Sequence, residues 1–143
     1  MKREAHTEQL PAILGFVDSA CAGANLPEDV SFAVRLATEE ACMNVVNHAY
    51  ETGAPGPIAI RIERRPSDIV VTIADQGPPF LPASVPEPNF DMSAEDRALG
   101  GLGWHLIRQM MDEVHHEYDP AVGNSLTLVK RIPAHRDTTG ACA

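Results

Sequence analysis

The stretch that decides the fold runs from residue 69 to residue 77 and reads IVVTIADQG. Its first five residues are apolar or β-branched, which predicts a strand near the centre of a sheet. Asp75 follows this apolar run, and the backbone must turn sharply at Gly77. A carboxylate at a sheet rim can accept a hydrogen bond from an amino group, although Asp-x-Gly is also an ordinary turn sequence. The stretch therefore predicts a central strand that ends in a candidate binding residue.

The residues before this strand predict a partner strand and two helices. Isoleucine alternates with other residues over 58–63, which is the two-residue period of a strand with one wet face, and residues 66–68 predict the hairpin turn. Apolar residues recur at helical spacing over 10–24 and again from Pro27 to about Tyr50. Two helices therefore precede the hairpin, and the second is long.

The residues after the central strand predict a loop, a third helix and two more strands. Residues 77–100 contain five prolines and few periodic apolar residues, which favours a functional lid over a merely flexible connection. A helix is predicted over 104–114, directly after a run of glycines, and strands are predicted over 115–118 and 125–132.

These elements predict an α+β fold, a two-layer α/β sandwich with about three helices on one face of the sheet. The sheet is expected to be mixed and mostly antiparallel, with four to five strands. A single domain is expected over residues 1–143, with its core over about 10–132 and a polar tail over 133–143.

The composition limits the classes of partner. Lys and Arg number 11 against 20 Asp and Glu, and the resulting net charge of −9 argues against a nucleic acid partner. A bound nucleotide remains possible, because helix N-termini and Mg²⁺ can supply local positive charge. No apolar run is long enough to cross a membrane, and the three cysteines form no C-x-x-C pair. We therefore expect a cytoplasmic protein without a structural metal.

Two further groups of residues are candidate ligand contacts. Glu40, Asn44 and His48 are spaced by four residues and share one face of the second predicted helix, although polar residues on a helix often simply face solvent. Glycines at 100, 101 and 103 precede the third predicted helix, where backbone N–H groups can approach phosphate oxygens. Each signal is weak alone, and their fixed order is the stronger observation.

Four stretches in that order carry a resemblance to a known family. They are EACMNVVNHAY at 40–50, DQGPPF at 75–80, GGLGWHLI at 100–107 followed by MDEV at 111–114, and GNSLTLVK at 123–130. The order resembles the GHKL ATPases, with their histidine-kinase-like ATP-binding (Bergerat) fold, and within them the anti-sigma-factor serine-protein kinases. The resemblance covers about residues 28–132. Trp104 and His105 stand where that family commonly has aliphatic residues.

The resemblance implies a site for ATP and Mg²⁺. Asn44 would coordinate the Mg²⁺, Asp75 would accept a hydrogen bond from the adenine amino group, and Gly77 would let the base approach. Glu40 would be the catalytic base, and residues 80–99 would form the ATP lid. Further nucleotide contacts would come from Asn47, His48, Phe80, Gly100, Gly101, Leu102, Gly103 and Ser125.

The resemblance also implies a function and partners. The chain would phosphorylate a serine of a STAS-domain anti-anti-sigma protein and control the availability of a sigma factor. A nucleotide-gated binding module with little or no phosphotransfer is an alternative, and so is an ATP-binding domain that works with a separate histidine phosphotransfer protein. A homodimer is expected by resemblance, but only nine residues precede Leu10, so a monomer remains possible.

Overall fold

A computed structural model describes residues 1–51, 53–80 and 101–133, with only the backbone of Gly101 and Leu102. The elements in chain order are β1 (Lys2–Glu4), a short 3-10 helix (Thr7–Gln9), α1 (Leu10–Gly23), α2 (Glu28–His48), β2 (Pro57–Arg64), β3 (Asp68–Asp75), α3 (Gly101–Met110), β4 (Glu113–Asp119) and β5 (Gly123–Arg131). The predicted lid, except for Phe80, and most of the predicted tail lie outside the described residues.

The five strands form one sheet in the order β1-β2-β3-β5-β4. The pairs within the described residues are all antiparallel, so the sheet is more uniform than the mixed sheet that the sequence predicts. β3 occupies the centre, as its apolar composition predicts, because both of its edges are paired within the sheet. The register places Asp75 at the end of β3 opposite Asn124 at the start of β5.

One face of the sheet packs against the helices and forms the core. Ile73 in β3 and Leu128 in β5 are almost fully buried, and they belong to the same cluster as Val34 in α2 and Ile107 in α3. Each such side chain contributes about 1.5–3 kcal/mol through removal of apolar surface from water. This burial confirms the two-layer sandwich, and within the described residues α1, α2 and α3 lie on one face of the sheet.

The predicted bounds of the third helix are wrong at both ends. The sequence predicts a helix over 104–114, whereas α3 begins at Gly101, so glycines form its first turn. α3 ends at Met110 because the backbone N–H of Asp112 donates to Val129 O, at 2.9 Å, and brings the chain into the sheet. β4 therefore begins at Glu113, two residues before the predicted strand. β5 begins at Gly123 rather than at residue 125, because Gly123 pairs with Asp119 and Asn124 pairs with Asp75.

β1 is a strand that the sequence does not predict. It pairs with the edge of β2, and two hydrogen bonds between Met1 and Ile60 extend this pairing. The Met1 amino group donates to Ile60 O at 2.9 Å, and Ile60 N donates to Met1 O at 2.8 Å. Three residues with every side chain exposed have no hydrophobic periodicity to detect. The N-terminal segment is therefore short but does join the sheet.

Within the described part of the chain, no helix has both the length and the apolar character needed to cross a membrane.

Candidate functional site

A cavity of about 330 Å³ lies between α2, the first half of α3 and the ends of β3 and β5. Its volume is in the range of small-molecule binding sites, and its lining is mostly apolar with a few polar groups, as such sites require. The lining residues are Ala41, Asn44, Val45, His48, Ala49, Ile73, Asp75, Pro78, Pro79, Phe80, Trp104, His116, Asn124 and Leu126.

Asp75 is the buried carboxylate of the cavity. It keeps 9% of its surface exposed, and its Oδ1 accepts a hydrogen bond from Gly77 N at 2.9 Å and another from Asn124 Nδ2 at 3.0 Å. Among the residues that the structure describes, no bond reaches Oδ2. One oxygen of Asp75 is thus held by the protein, and the other can accept a hydrogen bond from a ligand.

Asn124 ties together the groups around Asp75. Its Oδ1 accepts from Phe80 N at 2.9 Å, and its Nδ2 donates to Asp75 Oδ1 and to Pro78 O, the latter at 2.8 Å. Asn124 is 4% exposed, and a buried amide that is bonded on both sides cannot rotate without breaking several bonds. This residue therefore fixes both the carboxylate and the path of residues 78–80.

Three rings pack edge to face beside this network. The ring centroids of Phe80 and Trp104 lie 5.3 Å apart at 72°, and those of Phe80 and His116 lie 5.6 Å apart at 82°. These separations and angles are typical of favourable aromatic pairs. His116 Nε2 also lies 2.9 Å from Asn124 Oδ1, so His116 links the three packed rings to the Asn124 amide.

Gly77 lies where the backbone of this loop closely approaches the end of α2. A Cβ atom at Gly77 would lie 2.5 Å from Ala49 O, so no larger residue fits there without movement of the backbone. Tyr50 follows Ala49 just after the end of α2. Its hydroxyl accepts a hydrogen bond from Gln76 N at 2.7 Å and donates one to Pro57 O at 2.5 Å. We call Asp75, Gly77, His116 and Asn124 the sheet end of the cavity.

Glu40, Asn44 and Gly103 form a second group, which we call the helix end. A Cβ atom at Gly103 would lie 2.7 Å from Glu40 Oε2 and 4.0 Å from Asn44 Oδ1. The absence of a side chain at Gly103 therefore lets the Glu40 carboxylate lie against the first turn of α3. The first turn of a helix presents backbone N–H groups and the positive end of the helix dipole, which favours nearby negative charge.

Partial burial raises the pKa of the Glu40 carboxyl, and the neighbouring negative charge of Glu39 raises it further. A carboxylate with a raised pKa holds a proton more readily, so it is a better proton acceptor than an ordinary surface glutamate. Burial has the same effect on the Cys42 thiol in the core behind it, where the pKa rises to about 12. Cys42 is therefore an unreactive apolar side chain.

The structure brings together most of the residues that the sequence singles out. Asn44, His48, Asp75 and Phe80 line the cavity, and Glu40, Gly77 and Gly103 adjoin these residues through the contacts above. Gly101 begins α3, and nothing is described for the side chain of Leu102 or for Gly100.

Two predicted contacts do not lie at the cavity. Asn47 is exposed and is absent from the lining. Ser125 lies opposite Ala74, on the face of the sheet that points away from the helices, because its neighbour Asn124 occupies the inward position opposite Asp75. Asn124, and not Ser125, is therefore the residue of β5 that lines the cavity and bonds to Asp75.

Trp104, His116 and Asn124 also line the cavity, although they are not among the site residues predicted from the sequence. A detectable signal did exist for Asn124. Leu128 and Leu126 are inward residues of β5, and counting back by two, the period of a strand, reaches Asn124. No comparable signal marks Trp104, because helical spacing predicts only that it is buried and does not distinguish a cavity residue from a core residue.

The residues present fit a nucleotide with Mg²⁺. Asn44 offers an amide oxygen, the hard ligand that Mg²⁺ prefers, and Mg²⁺ commonly takes its remaining ligands from phosphates and water. Within the described ranges no group of three or more His, Cys, Asp or Glu side chains could hold a metal, so the protein alone does not supply a complete metal site there. The lining and the free Asp75 oxygen suit a purine base.

Known proteins resemble this chain in sequence and in fold. A family model described as the histidine kinase-like ATPase domain matches residues 4–130. The serine-protein kinase RsbW of Bacillus licheniformis is 33% identical over 102 residues, which are 66% of this chain and 61% of that relative. An anti-sigma F factor of Pasteuria penetrans is 22% identical over 105 residues, which are 73% of this chain and 70% of that relative. The chain spans about three fifths of the length of the first of these relatives.

A solved structure with a similar fold is the histidine kinase domain of the blue-light activated histidine kinase from Erythrobacter litoralis EL346. The TM-score is 0.56 at 19% sequence identity, and the superposition covers 86% of this chain and 61% of that chain. This likeness concerns the fold alone.

Proposed function

Because this chain belongs to the histidine-kinase-like ATPase family, we propose that it binds ATP with Mg²⁺ and phosphorylates a serine or threonine of a protein partner. The partner would be a STAS-domain anti-anti-sigma protein, and the output would be the availability of a sigma factor. The names of the relatives, a serine-protein kinase and an anti-sigma factor, support this proposal. Because the reaction would draw on cellular ATP, we also propose a cytoplasmic location.

The observation that carries the proposal is the contact at the helix end of the cavity. The Glu40 carboxylate lies against Gly103 in the first turn of α3, with Asn44 beside it on the same face of α2. A proton acceptor, a hard oxygen ligand and a helix N-terminus therefore meet at one point. Phosphoryl transfer to a hydroxyl needs these three functions, since its catalysis consists mainly of positioning and charge stabilisation.

Each end of the cavity would have its own task. At the sheet end, Asp75 Oδ2 would accept a hydrogen bond from the amino group of the base. At the helix end, Asn44 would hold the Mg²⁺, and the N–H groups of the first turn of α3 would face the phosphates. Magnesium, when bound, would neutralise negative charge on the phosphate oxygens. Glu40 would accept the proton of the partner's hydroxyl, and its raised pKa suits that task.

The direct test compares Glu40→Gln with Glu39→Gln. Glu39 is the neighbouring carboxylate and pairs with Arg35 at 3.8 Å on the surface of α2, so it provides a matched control. Each protein is incubated with Mg²⁺, labelled ATP and STAS-domain proteins of the same genome, and phosphoserine is measured. We expect Glu40→Gln to lower the transfer rate by about 100-fold or more, with the affinity for ATP nearly unchanged. Glu39→Gln should have a much smaller effect, because it removes only the neighbouring charge that adds to the raised pKa of Glu40.

Other outcomes would change the proposal. Wild-type protein that binds ATP but labels no partner would favour the nucleotide-gated binding module. Label on a histidine of a separate protein would favour the phosphotransfer alternative. Equal loss in the Glu39 and Glu40 variants would contradict the role given to Glu40. A homodimer remains a prediction, and sedimentation with and without ATP would test it.

A further inference from the structure

We infer that Asn124 is a positioning residue, held in place by His116, that presents a single oxygen of Asp75 to the ligand. The site would therefore select purines with an amino group at position 6 over purines with an oxygen at that position. The inference rests on the proposed function, because it requires a nucleotide in the cavity.

The first step is the orientation of the Asn124 amide. A backbone N–H can only donate, so the atom that receives the bond from Phe80 N must be the amide oxygen. The amide nitrogen then faces Asp75 Oδ1 and Pro78 O, both of which can only accept. All three contacts are satisfied by this one orientation of the amide. In the flipped orientation the amide nitrogen would face the Phe80 N–H group, and the amide oxygen would face the oxygens of Asp75 and Pro78.

The second step is the tautomer of His116. Because Asn124 Oδ1 is an acceptor, the His116 Nε2 atom at 2.9 Å must carry the proton. His116 is also held edge to face against Phe80, so its ring cannot easily turn away from Asn124. His116 thus supplies a second bond that keeps the amide oxygen in place, after the bond from Phe80 N.

The third step concerns Asp75. Both donors, Gly77 N and Asn124 Nδ2, reach the same oxygen, Oδ1, which leaves Oδ2 as the atom offered to the cavity. An ionised carboxylate accepts hydrogen bonds and donates none. An amino group at position 6 of a purine would satisfy Oδ2, whereas an oxygen there would place two acceptors against each other. The fixed orientation of the carboxylate therefore lets the site discriminate between 6-amino and 6-oxo purines.

The structure provides matched controls on the same two strands. His115 adjoins His116 but is exposed and contacts Glu113 on the outer face of the sheet. Thr127 lies three residues from Asn124 and pairs with His115 and Thr72, away from the cavity. Substitutions at His115 and Thr127 change the same strands without changing the amide network.

The experiment measures the ratio of the dissociation constants of Mg-ITP and Mg-ATP. The fluorescence of Trp104, the single tryptophan of the chain, reports binding because its side chain lines the cavity. We expect the wild type to prefer ATP, and Asn124→Ala to reduce the preference about tenfold through weaker ATP binding with little change for ITP. His115→Phe and Thr127→Ala should keep the wild-type ratio.

A second pair of variants leaves Asn124 in place. His116→Phe keeps an aromatic ring against Phe80 but removes the donor, and it should lower the preference about threefold. His116→Gln keeps an N–H donor and should restore most of the preference. This pair tests the inference even if Asn124→Ala does not fold, which a thermal melt of each variant would reveal.

The failures of the inference and of the proposed function can be told apart. If the wild type binds ATP, but Asn124→Ala and His116→Phe weaken ATP and ITP equally, the residues are only structural and the inference is overturned. If the wild type binds ATP and ITP with the same affinity, the inference is overturned as well. Wild-type protein that binds neither nucleotide overturns the proposed function and the inference with it.

Discussion

The two ends of the cavity differ in how their polar groups are satisfied. At the sheet end, Asp75 Oδ1 and the Asn124 amide already have protein partners, and these bonds connect β3, β5 and the residues that follow β3. At the helix end, the side chains of Glu40 and Asn44 make no hydrogen bond or ion pair with any other described residue. The two ends nevertheless lie on one continuous cavity, since Asn44 and Asp75 both line it.

This difference indicates a division of work. Groups that are held before the ligand arrives cost little to organise on binding, so the sheet end is suited to affinity and base selection. Groups with free hydrogen-bonding capacity need a ligand to complete them, so the helix end is suited to the phosphates and to the transfer step. Changes at the sheet end should therefore affect binding first, and changes at the helix end should affect the rate.

The largest effect should come from Asp75→Asn. The two donors that reach Oδ1 would hold the new amide oxygen in the same place, so the amide nitrogen would replace Oδ2 and donate into the cavity. We expect ATP affinity to fall roughly 100-fold, about 3 kcal/mol, and ITP affinity to rise relative to it. Fluorescence titration measures both, with exposed Asp119→Asn as the control. Unchanged ATP affinity would contradict the role of the sheet end.

The next largest effect should be a difference in folding free energy between Gly77→Ala and Gly103→Ala. At Gly77 an added Cβ meets the backbone oxygen of Ala49, whereas at Gly103 it meets the movable end of the Glu40 side chain. Gly77→Ala should therefore cost about 1–3 kcal/mol of folding free energy. Gly103→Ala should be nearly neutral, because alanine favours a helix by up to about 1 kcal/mol over glycine.

Chemical denaturation of both glycine variants gives these free energies, and the transfer assay gives a second comparison. Gly103→Ala displaces the Glu40 carboxylate and should lower the transfer rate while the fold stays intact. If Gly103→Ala were the more destabilising of the two, the close approach at Gly77 would not be the tighter constraint.

The smallest effect should be the pH dependence of stability at Glu40. Because burial raises the pKa of this carboxyl in the folded state, the folded protein binds the proton more tightly than the unfolded chain does. The stability contributed by that proton is complete below the ordinary glutamate pKa of about 4.5 and is lost as the pH rises through the higher folded value.

Glu40→Gln should therefore raise the Tm relative to the wild type at neutral pH, with a difference that shrinks as the pH falls toward 4.5. Thermal melts across this range measure the difference, and exposed Glu117→Gln serves as the control, because Glu39 itself raises the pKa of Glu40. A difference that grew at low pH would mean that the folded pKa of Glu40 is lowered rather than raised.

Much of the fold could be predicted because its signals are local. The apolar run in β3, the alternating isoleucines in β2 and the helical periods of α1 and α2 each follow from burial of one face of a regular element. The bounds of α3 could not be predicted in this way. Glycines are poor helix formers, and the end of α3 depends on a bond between Asp112 N and Val129 O, which joins residues far apart in sequence.

The sequence by itself determined that Glu40 and Asn44 share one face of a helix and that Asp75 closes a buried strand. These facts depend only on the 3.6-residue and two-residue periods of the backbone. Only the tertiary structure decided that Asn124, and not Ser125, joins Asp75, since a shift of one residue in a strand moves a side chain to the opposite face. It also decided that Trp104 and His116 line the cavity, because contacts between distant elements depend on how the helices pack on the sheet and not on any local period.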